Sequence, residues 1–262
     1  MASNPLILGH RGASAIAPEN TLAAFARAIR DGADGVEFDV RLSRDRVAVV
    51  IHDASLRRTG LKEVSVSELP SAELQGIDVG SWFDRSGRNP NQSFAAEKLP
   101  TLAQVFEFFS SNGGLLYVEM KGDVTEGSAL AAAVARAVHE FQIAERVVVE
   151  SFDLAAIAEI KRIDSGIRTA ALFEPRLSRP ISTLRRLKMV DLALSHGADE
   201  IALHHTLVAP RMVEKAKREG LEVVLWTVDD RNWIARARAF GIKALIANDP
   251  GVMVRERLKF RV

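Results

Sequence analysis

The 262-residue sequence predicts an α/β fold: a TIM (β/α)8 barrel with a small insertion between the second strand and its helix. Three observations carry that expectation. Short β-rich apolar runs alternate with longer amphipathic helical patterns along the chain, which implies parallel strands joined by helical crossovers. Nine strand candidates occur, but two lie too close together for a parallel crossover, so they form a hairpin and leave eight for the barrel. The length suits one barrel, and residues 1–262 read as a single domain.

The first strand is LILGH (6–10), which stops abruptly at His10-Arg11-Gly12. After PENT, the stretch TLAAFARAIRDG reads as a helix: Thr21 or Asn20 can cap it, Leu22, Phe25, Ala26 and Ile29 keep helical spacing, and Gly32 can end it. Only RLSRDR separates GVEFDV (35–40) from VAVVIHD (47–53), so the second run returns antiparallel. A two-residue turn at Asp45-Arg46 sets Asp39 opposite His52.

Residues 54–98 break the rhythm: they are polar and turn-rich (DRSGRNPNQS), with one aromatic cluster, Trp82-Phe83. They read as an insertion on the active-face rim, because unstructured loops of that length are uncommon in compact domains. Trp82-Phe83 either lids the site or anchors the insertion. The helix PTLAQVFEFFSSNGG restarts the alternation, followed by LLYVEMK (115–121) and the Ala-rich helix containing ALAAAVARAV (129–138). The remaining strands are RVVVESF (146–152), RTAALFE (168–174), EIALHH (200–205), EVVLWTV (222–228) and KALIAND (243–249). APRMVEKAKREG is a helix with Gly220 as its stop.

Lys+Arg number 35 and Asp+Glu 34, so the electrostatic footprint of a nucleic-acid binder is missing. Cysteine is absent, which leaves carboxylate, imidazole and backbone oxygen as metal ligands. MASNPLILGH has neither the basic start nor the apolar length of a signal peptide, and Arg136 interrupts the longest soft stretch. A cytoplasmic protein without stable membrane anchoring is expected.

Side chains alternate along a strand, so Glu37 and Asp39 point the same way, as do Glu119 and Lys121. Three carboxylates would then converge at the C-terminal mouth of the barrel, where catalytic residues of this fold reside. Such a group needs counter-charge. Lys121 supplies some, and one divalent cation, Mg²⁺ or Ca²⁺, suits the all-oxygen remainder. His10 and His52 meet at the rim as a candidate acid-base pair. Arg11 offers a forked donor for phosphate oxygens. Taken one at a time, Glu-x-Asp is most often a salt-bridged pair and His-Asp a turn; their coincidence at neighbouring strand ends makes a site. Trp226 either lines the mouth, where its aromatic face could pack on an apolar group or an ammonium, or belongs to the core. His204-His205 looks metal-like, but adjacent strand residues face opposite ways, so that pair reads as structural, as do His139 and His196. Ser151 has no obvious base.

HRGASAIAPENTLAAF, GVEFDV, VAVVIHD, GSWF, LPTL, VEMK, SFD and WTV occur in the order and spacing of the glycerophosphodiester phosphodiesterase family, which the chain resembles over nearly its whole length. The resemblance implies a TIM barrel with a family insertion at about 54–98, a divalent metal on Glu37, Asp39 and Glu119, His10 and His52 as acid and base, and Arg11 and Lys121 on the phosphate. It implies a small phosphodiester substrate whose glycerol hydroxyl attacks phosphorus, expels the head-group alcohol, and forms a cyclic phosphate that water opens to sn-glycerol 3-phosphate. One departure stands out: the family's last strand commonly ends Thr-Asp-x-Pro, whereas this chain has Ala247-Asn248-Asp249-Pro250, and Asn248 is assigned no catalytic role. The rival readings are a lysophospholipase D-like phosphodiesterase, and a barrel that binds phosphoryl ligands without turnover.

Overall fold

The apolar runs form nine strands in the computed structural model, which describes residues 3–89, 92–122, 126–175 and 182–260. They are β1 (Leu6–His10), β2 (Gly35–Leu42), β3 (Ala48–Val50), β4 (Leu115–Met120), β5 (Val147–Ser151), β6 (Arg168–Phe173), β7 (Glu200–His204), β8 (Glu222–Trp226) and β9 (Ala244–Ala247). Eight run parallel, and β1 pairs with both β2 and β9, so the sheet closes into a barrel. β3 pairs antiparallel with β2 alone. The helices are α1 (Leu22–Arg30), α2 (Ser71–Leu74), α3 (Ser81–Arg85), α4 (Leu102–Asn112), α5 (Gly127–Phe141), α6 (Leu154–Ile163), α7 (Thr183–Ser195), α8 (Pro210–Arg218), α9 (Trp233–Phe240) and α10 (Pro250–Leu258).

Strand alternation divides the core. Leu8, Tyr117, Val148, Ala170, Val224 and Ile246 fill the barrel interior, while their neighbours Ile7, Val118, Val149 and Leu245 pack outward against the helices. The same alternation carries His10, Glu37, Asp39 and Glu119 upward on the interior face. Thr21 rather than Asn20 caps α1, its Oγ1 accepting from the backbone of Ala24 at 3.2 Å.

The hairpin register differs by one from the sequence expectation. Val40 lies opposite Val50 and Leu42 opposite Ala48, so Asp39 faces Ile51 rather than His52. Arg46 adopts a left-handed φ of 61°, and its N–H donates to Ser43 while Ser43 N–H donates to Val47. Arg44, Asp45 and Arg46 therefore form a three-residue loop, a geometry that normally carries glycine at the left-handed position. β3 also ends at Val50, leaving His52 past the strand.

Between β3 and α4, two isolated bridges (Ser55 with Ser65, Asp78 with Lys98) and the helices α2 and α3 organise the chain. Pro90 and Asn91 of the expected insertion lie outside the described residues. Val49, Ile51, Leu56, Leu74 and Ile77 form a small core there. Phe83 is fully buried against Ala17, Ala24 and Phe94, and Trp82 donates its ring N–H to Val79 at 2.8 Å. Trp82-Phe83 thus anchors this segment instead of lidding the mouth. Phe83→Ala should lower unfolding free energy by about 3–5 kcal/mol, the usual cost of emptying a buried phenyl site, as measured by urea denaturation.

β7 ends at His204, and His205 begins a 3-10 turn, so the two rings stack 4.4 Å apart instead of facing opposite ways. His205 packs on Trp233 and His204 on Trp226. Among the described residues neither belongs to a group able to hold a metal.

Candidate active site

The turn after β1 is built from local strain. Arg11 has φ of 54° and Gly12 of 80°. A Cβ on Gly12 would sit 2.6 Å from the backbone of Ala24, so only glycine lets this turn lie against α1. The turn aims the Arg11 guanidinium across the barrel mouth and its backbone N–H at Glu37 Oε2, 3.0 Å away.

Parallel registry brings the acids together: His10 lies beside Glu37, and Asp39 beside Glu119. Glu37, Asp39 and Glu119 are 2%, 0% and 7% exposed, and one oxygen from each lies within 4.8 Å of the others. Arg11 Nε stands 3.1 Å from Asp39 Oδ2, while Lys121 Nζ stands 3.3 Å from Asp39 Oδ1 and 2.6 Å from Glu119 Oε1. Glu37 Oε1 is buried without a hydrogen-bond partner. That donor set fits a hard divalent cation: all oxygen, crowded, and short of positive charge.

The electrostatics follow from crowding. Burial, with Asp39 and Glu119 adding, pushes Glu37 well above the usual carboxylate range. Burial and Asp39 push Glu119 up to about 8. Burial works against ionisation of Asp39 as well, but Arg11 and Lys121 outweigh it and hold this carboxyl below its ordinary range. Burial and the Arg11 charge lower His10 to about 4, despite its bond to Asn248. Burial likewise lowers His52, against the pull of Asp39 and Asp53.

Several members of the site escaped the sequence reading. Asn20 clamps Asp39 twice: its amide donates to Asp39 Oδ2 at 2.8 Å and its oxygen accepts the Asp39 backbone N–H at 3.2 Å. Glu19 accepts from Arg11 at 2.9 Å and from both terminal nitrogens of Arg58 at 2.7 Å. Arg58 in turn holds Asp53, which pairs with His52 Nδ1 at 2.6 Å. Arg41 donates to the backbone oxygens of His52 and Lys121, joining hairpin and β4. Asn248 accepts at His10 Nδ1, 2.7 Å away. Glu150, 1% exposed and beside Glu119 on the neighbouring strand, leaves Oε2 without a partner, and its pKa is pushed well up by burial, Glu37 and Glu119. Strand alternation could have found Glu150, two residues beyond the interior Val148; the contacts of Asn20, Arg58 with Glu19, and Asn248 join segments far apart in sequence.

Two cavities meet at His10 and Arg11. A narrow one of about 120 Å³ is lined by Glu37, Glu119 and Glu150 and by the apolar side chains of Phe152, Leu172 and Trp226. A wider, open one of about 520 Å³ spreads over Ser14, Glu19, Arg88, Asp229 and Asn248. Trp226 meets Phe152 edge to face at 5.5 Å, and Lys121 Nζ lies 5.6 Å over the Phe152 ring. The residues singled out from sequence, His10, Arg11, Glu37, His52, Glu119, Lys121 and Trp226, thus share one cavity, with Asp39 beneath.

Residues 10–252 match the model of the glycerophosphoryl diester phosphodiesterase family. A glycerophosphodiester phosphodiesterase of Caldanaerobacter subterraneus subsp. tengcongensis is 30% identical over 249 residues, covering 95% of this chain and 96% of the relative. The structure of an Oleispira antarctica phosphodiesterase in complex with the product sn-glycerol-3-phosphate superposes with a TM-score of 0.82 at 26% identity, covering 97% and 96% of the two chains. A glycerophosphodiester phosphodiesterase of Agrobacterium tumefaciens str. C58 matches with a TM-score of 0.78 at 26% identity, covering 96% and 99%.

Proposed function

The chain belongs to the glycerophosphoryl diester phosphodiesterase family, and on that footing we propose that it hydrolyses glycerophosphodiesters to sn-glycerol 3-phosphate and an alcohol. The observation that carries this reading is the gathering of two imidazoles, two cations and three carboxylates at one barrel mouth. The product held by the Oleispira relative supports it.

Glu37, Asp39 and Glu119 would hold one divalent cation, Mg²⁺ or Ca²⁺. Such an ion supplies Lewis-acid stabilisation of charge on phosphoryl oxygens. Arg11 and Lys121, which stand against the same carboxylates, would bind those oxygens, with Lys121 kept protonated by Glu119 and Asp39 despite its burial. His10 and His52 move the protons: one imidazole takes the proton of the attacking glycerol hydroxyl and the other gives one to the leaving alkoxide. Trp226 and Phe152 offer the apolar wall for the glycerol carbons.

Residues 54–98 serve as a rim insertion on a single domain, supplying Arg58 and Arg88. Among the described residues no helix is long and apolar enough to cross a membrane. The near-even charge balance of 35 basic to 34 acidic side chains speaks against a nucleic-acid partner, and the proposed partner is a small molecule in a cytoplasmic setting.

A second reading, lysophospholipase D-like, is favoured by one feature. A groove of about 400 Å³ lined by Leu154, Phe173, Met189 and Leu192 shares Phe152 and Leu172 with the narrow cavity. Binding of phosphoryl ligands without turnover is the reading that an inactive protein would leave.

The test is incubation with glycerophosphocholine, glycerophosphoethanolamine and lysophosphatidylcholine, with Mg²⁺, Ca²⁺ or chelator, detecting glycerol 3-phosphate and free head group. Turnover of the first two with metal, and its loss with chelator, is expected. No turnover of any diester with either metal sinks the enzymatic reading. Glu119→Ala should weaken metal binding, as read by calorimetry, by more than the roughly 10–100-fold that loss of a ligand's supporting partner costs.

A further inference from the structure

The segment at the end of β9 does more than close the barrel. Asn248 continues the interior face of its strand after Ala244 and Ile246, and it ends beside His10. Its orientation is forced by its other neighbour. Asp229 accepts the Asn248 side-chain N–H at 2.7 Å through Oδ2 and the Asn248 backbone N–H at 2.8 Å through Oδ1. A carboxylate facing two N–H groups accepts both bonds, so the amide nitrogen must point at Asp229 and the amide oxygen at His10.

That oxygen carries no hydrogen. It accepts from Ser14 Oγ at 3.0 Å and stands 2.7 Å from His10 Nδ1, so the hydrogen of this second bond sits on Nδ1. In the neutral ring the lone pair is then on Nε2, the nitrogen that faces the carboxylate group, 3.8 Å from Glu37 Oε2. The backbone adds to the clamp, since Ala15 N–H donates to the Asn248 carbonyl at 3.0 Å. His52 has a different partner, the Asp53 carboxylate, so the two imidazoles are held by groups of different charge.

We propose that Asn248, itself aimed by Asp229, is a positioning residue that keeps a hydrogen on His10 Nδ1, so that Nε2 is the nitrogen that meets the substrate and exchanges the proton. The inference takes the phosphodiesterase reading as its setting. It deepens it by giving Asn248 a function: a neutral amide orients the ring without adding a charge beside it. Turning the amide over would present N–H to Nδ1, drive the hydrogen to Nε2 and remove the acceptor. A wrong tautomer in an otherwise intact site is costly to catalysis.

The test reads the ring directly. Long-range ¹H–¹⁵N correlation spectra of the whole protein near neutral pH, with His10 assigned by its loss in His10→Gln, should show a protonated Nδ1 and a bare Nε2. In Asn248→Ala, and in Asp229→Ala, which frees the amide to rotate, that preference should disappear. The kcat for glycerophosphocholine should fall about 10–100-fold with KM within about twofold. Melting curves on the same samples separate this from loss of fold, and Asp229→Ala carries the test if Asn248→Ala does not fold. An Nε2–H tautomer in the wild type overturns the proposal, as does a folded variant with unchanged kcat. If the wild type turns over no diester, the phosphodiesterase reading fails, while the ring spectra still decide the tautomer.

Discussion

Replacing His10 or His52 with alanine should lower glycerophosphodiester turnover by about 10²–10⁴-fold, the range a positioned acid or base contributes, while the melting temperature shifts by a few degrees at most. Stability should survive because neither ring carries the core. His10 loses one hydrogen bond to Asn248, and His52 loses one to Asp53, which keeps Arg58. The double variant should fall little further than the worse single one, since groups acting in one transition state are not additive. The measurement is steady-state kinetics on both singles and the double, with denaturation curves as control. A fully active His52→Ala would remove His52 from the chemistry and leave its contact with Asp53 as a structural pair.

The barrel mouth was legible because its main signals are local. A strand that ends on His10-Arg11, and Glu37, Asp39, Glu119 and Lys121 on one side of two strands, follow from period-two alternation alone. Adjacency of those strands then follows from chain order in a parallel barrel. What stayed hidden depends on closure. Asn248 stands 238 residues from His10, and the two meet because β9 returns to pair with β1. Glu19 and Asn20 look like the start of a helix, yet they leave that role to Thr21 and turn their side chains to Arg11 and Asp39. The hairpin register slipped by one because Arg46 takes a left-handed conformation with no glycine to announce it. The stacked His204 and His205 escaped alternation since the strand ends between them.

The stability gained on metal binding should widen as pH rises from about 5 to about 8. Arg11 and Lys121 face Glu37, Asp39, Glu119 and the deeper Glu150, so without a further cation the acids cannot all ionise cheaply. Burial and Asp39 raise Glu119 to about 8, and burial with its neighbours raises Glu37 in the same direction. A carboxyl whose folded pKa lies above its unfolded value binds its proton more tightly when folded. Its contribution to stability is therefore complete below about 4.5 and is lost as pH climbs toward about 8. Asp39 has the opposite sign: its contribution is present above its ordinary value of 3.8 and is constant across this window. Metal requires the ionised carboxylates, so binding releases protons and tightens with pH. At a hundredfold excess over Kd the ion adds about 2.7 kcal/mol, which corresponds to about 5–10 °C in Tm for a chain of this size. Thermal melts with Mg²⁺, Ca²⁺ or chelator across that range measure the difference, from which metal-independent titrations cancel. Calorimetry in buffers of different ionisation enthalpy counts the protons, and Glu119→Gln should flatten the trend. A gain that stays level, or that is larger at acid pH, would mean that Glu37 and Glu119 are not the groups the ion displaces protons from.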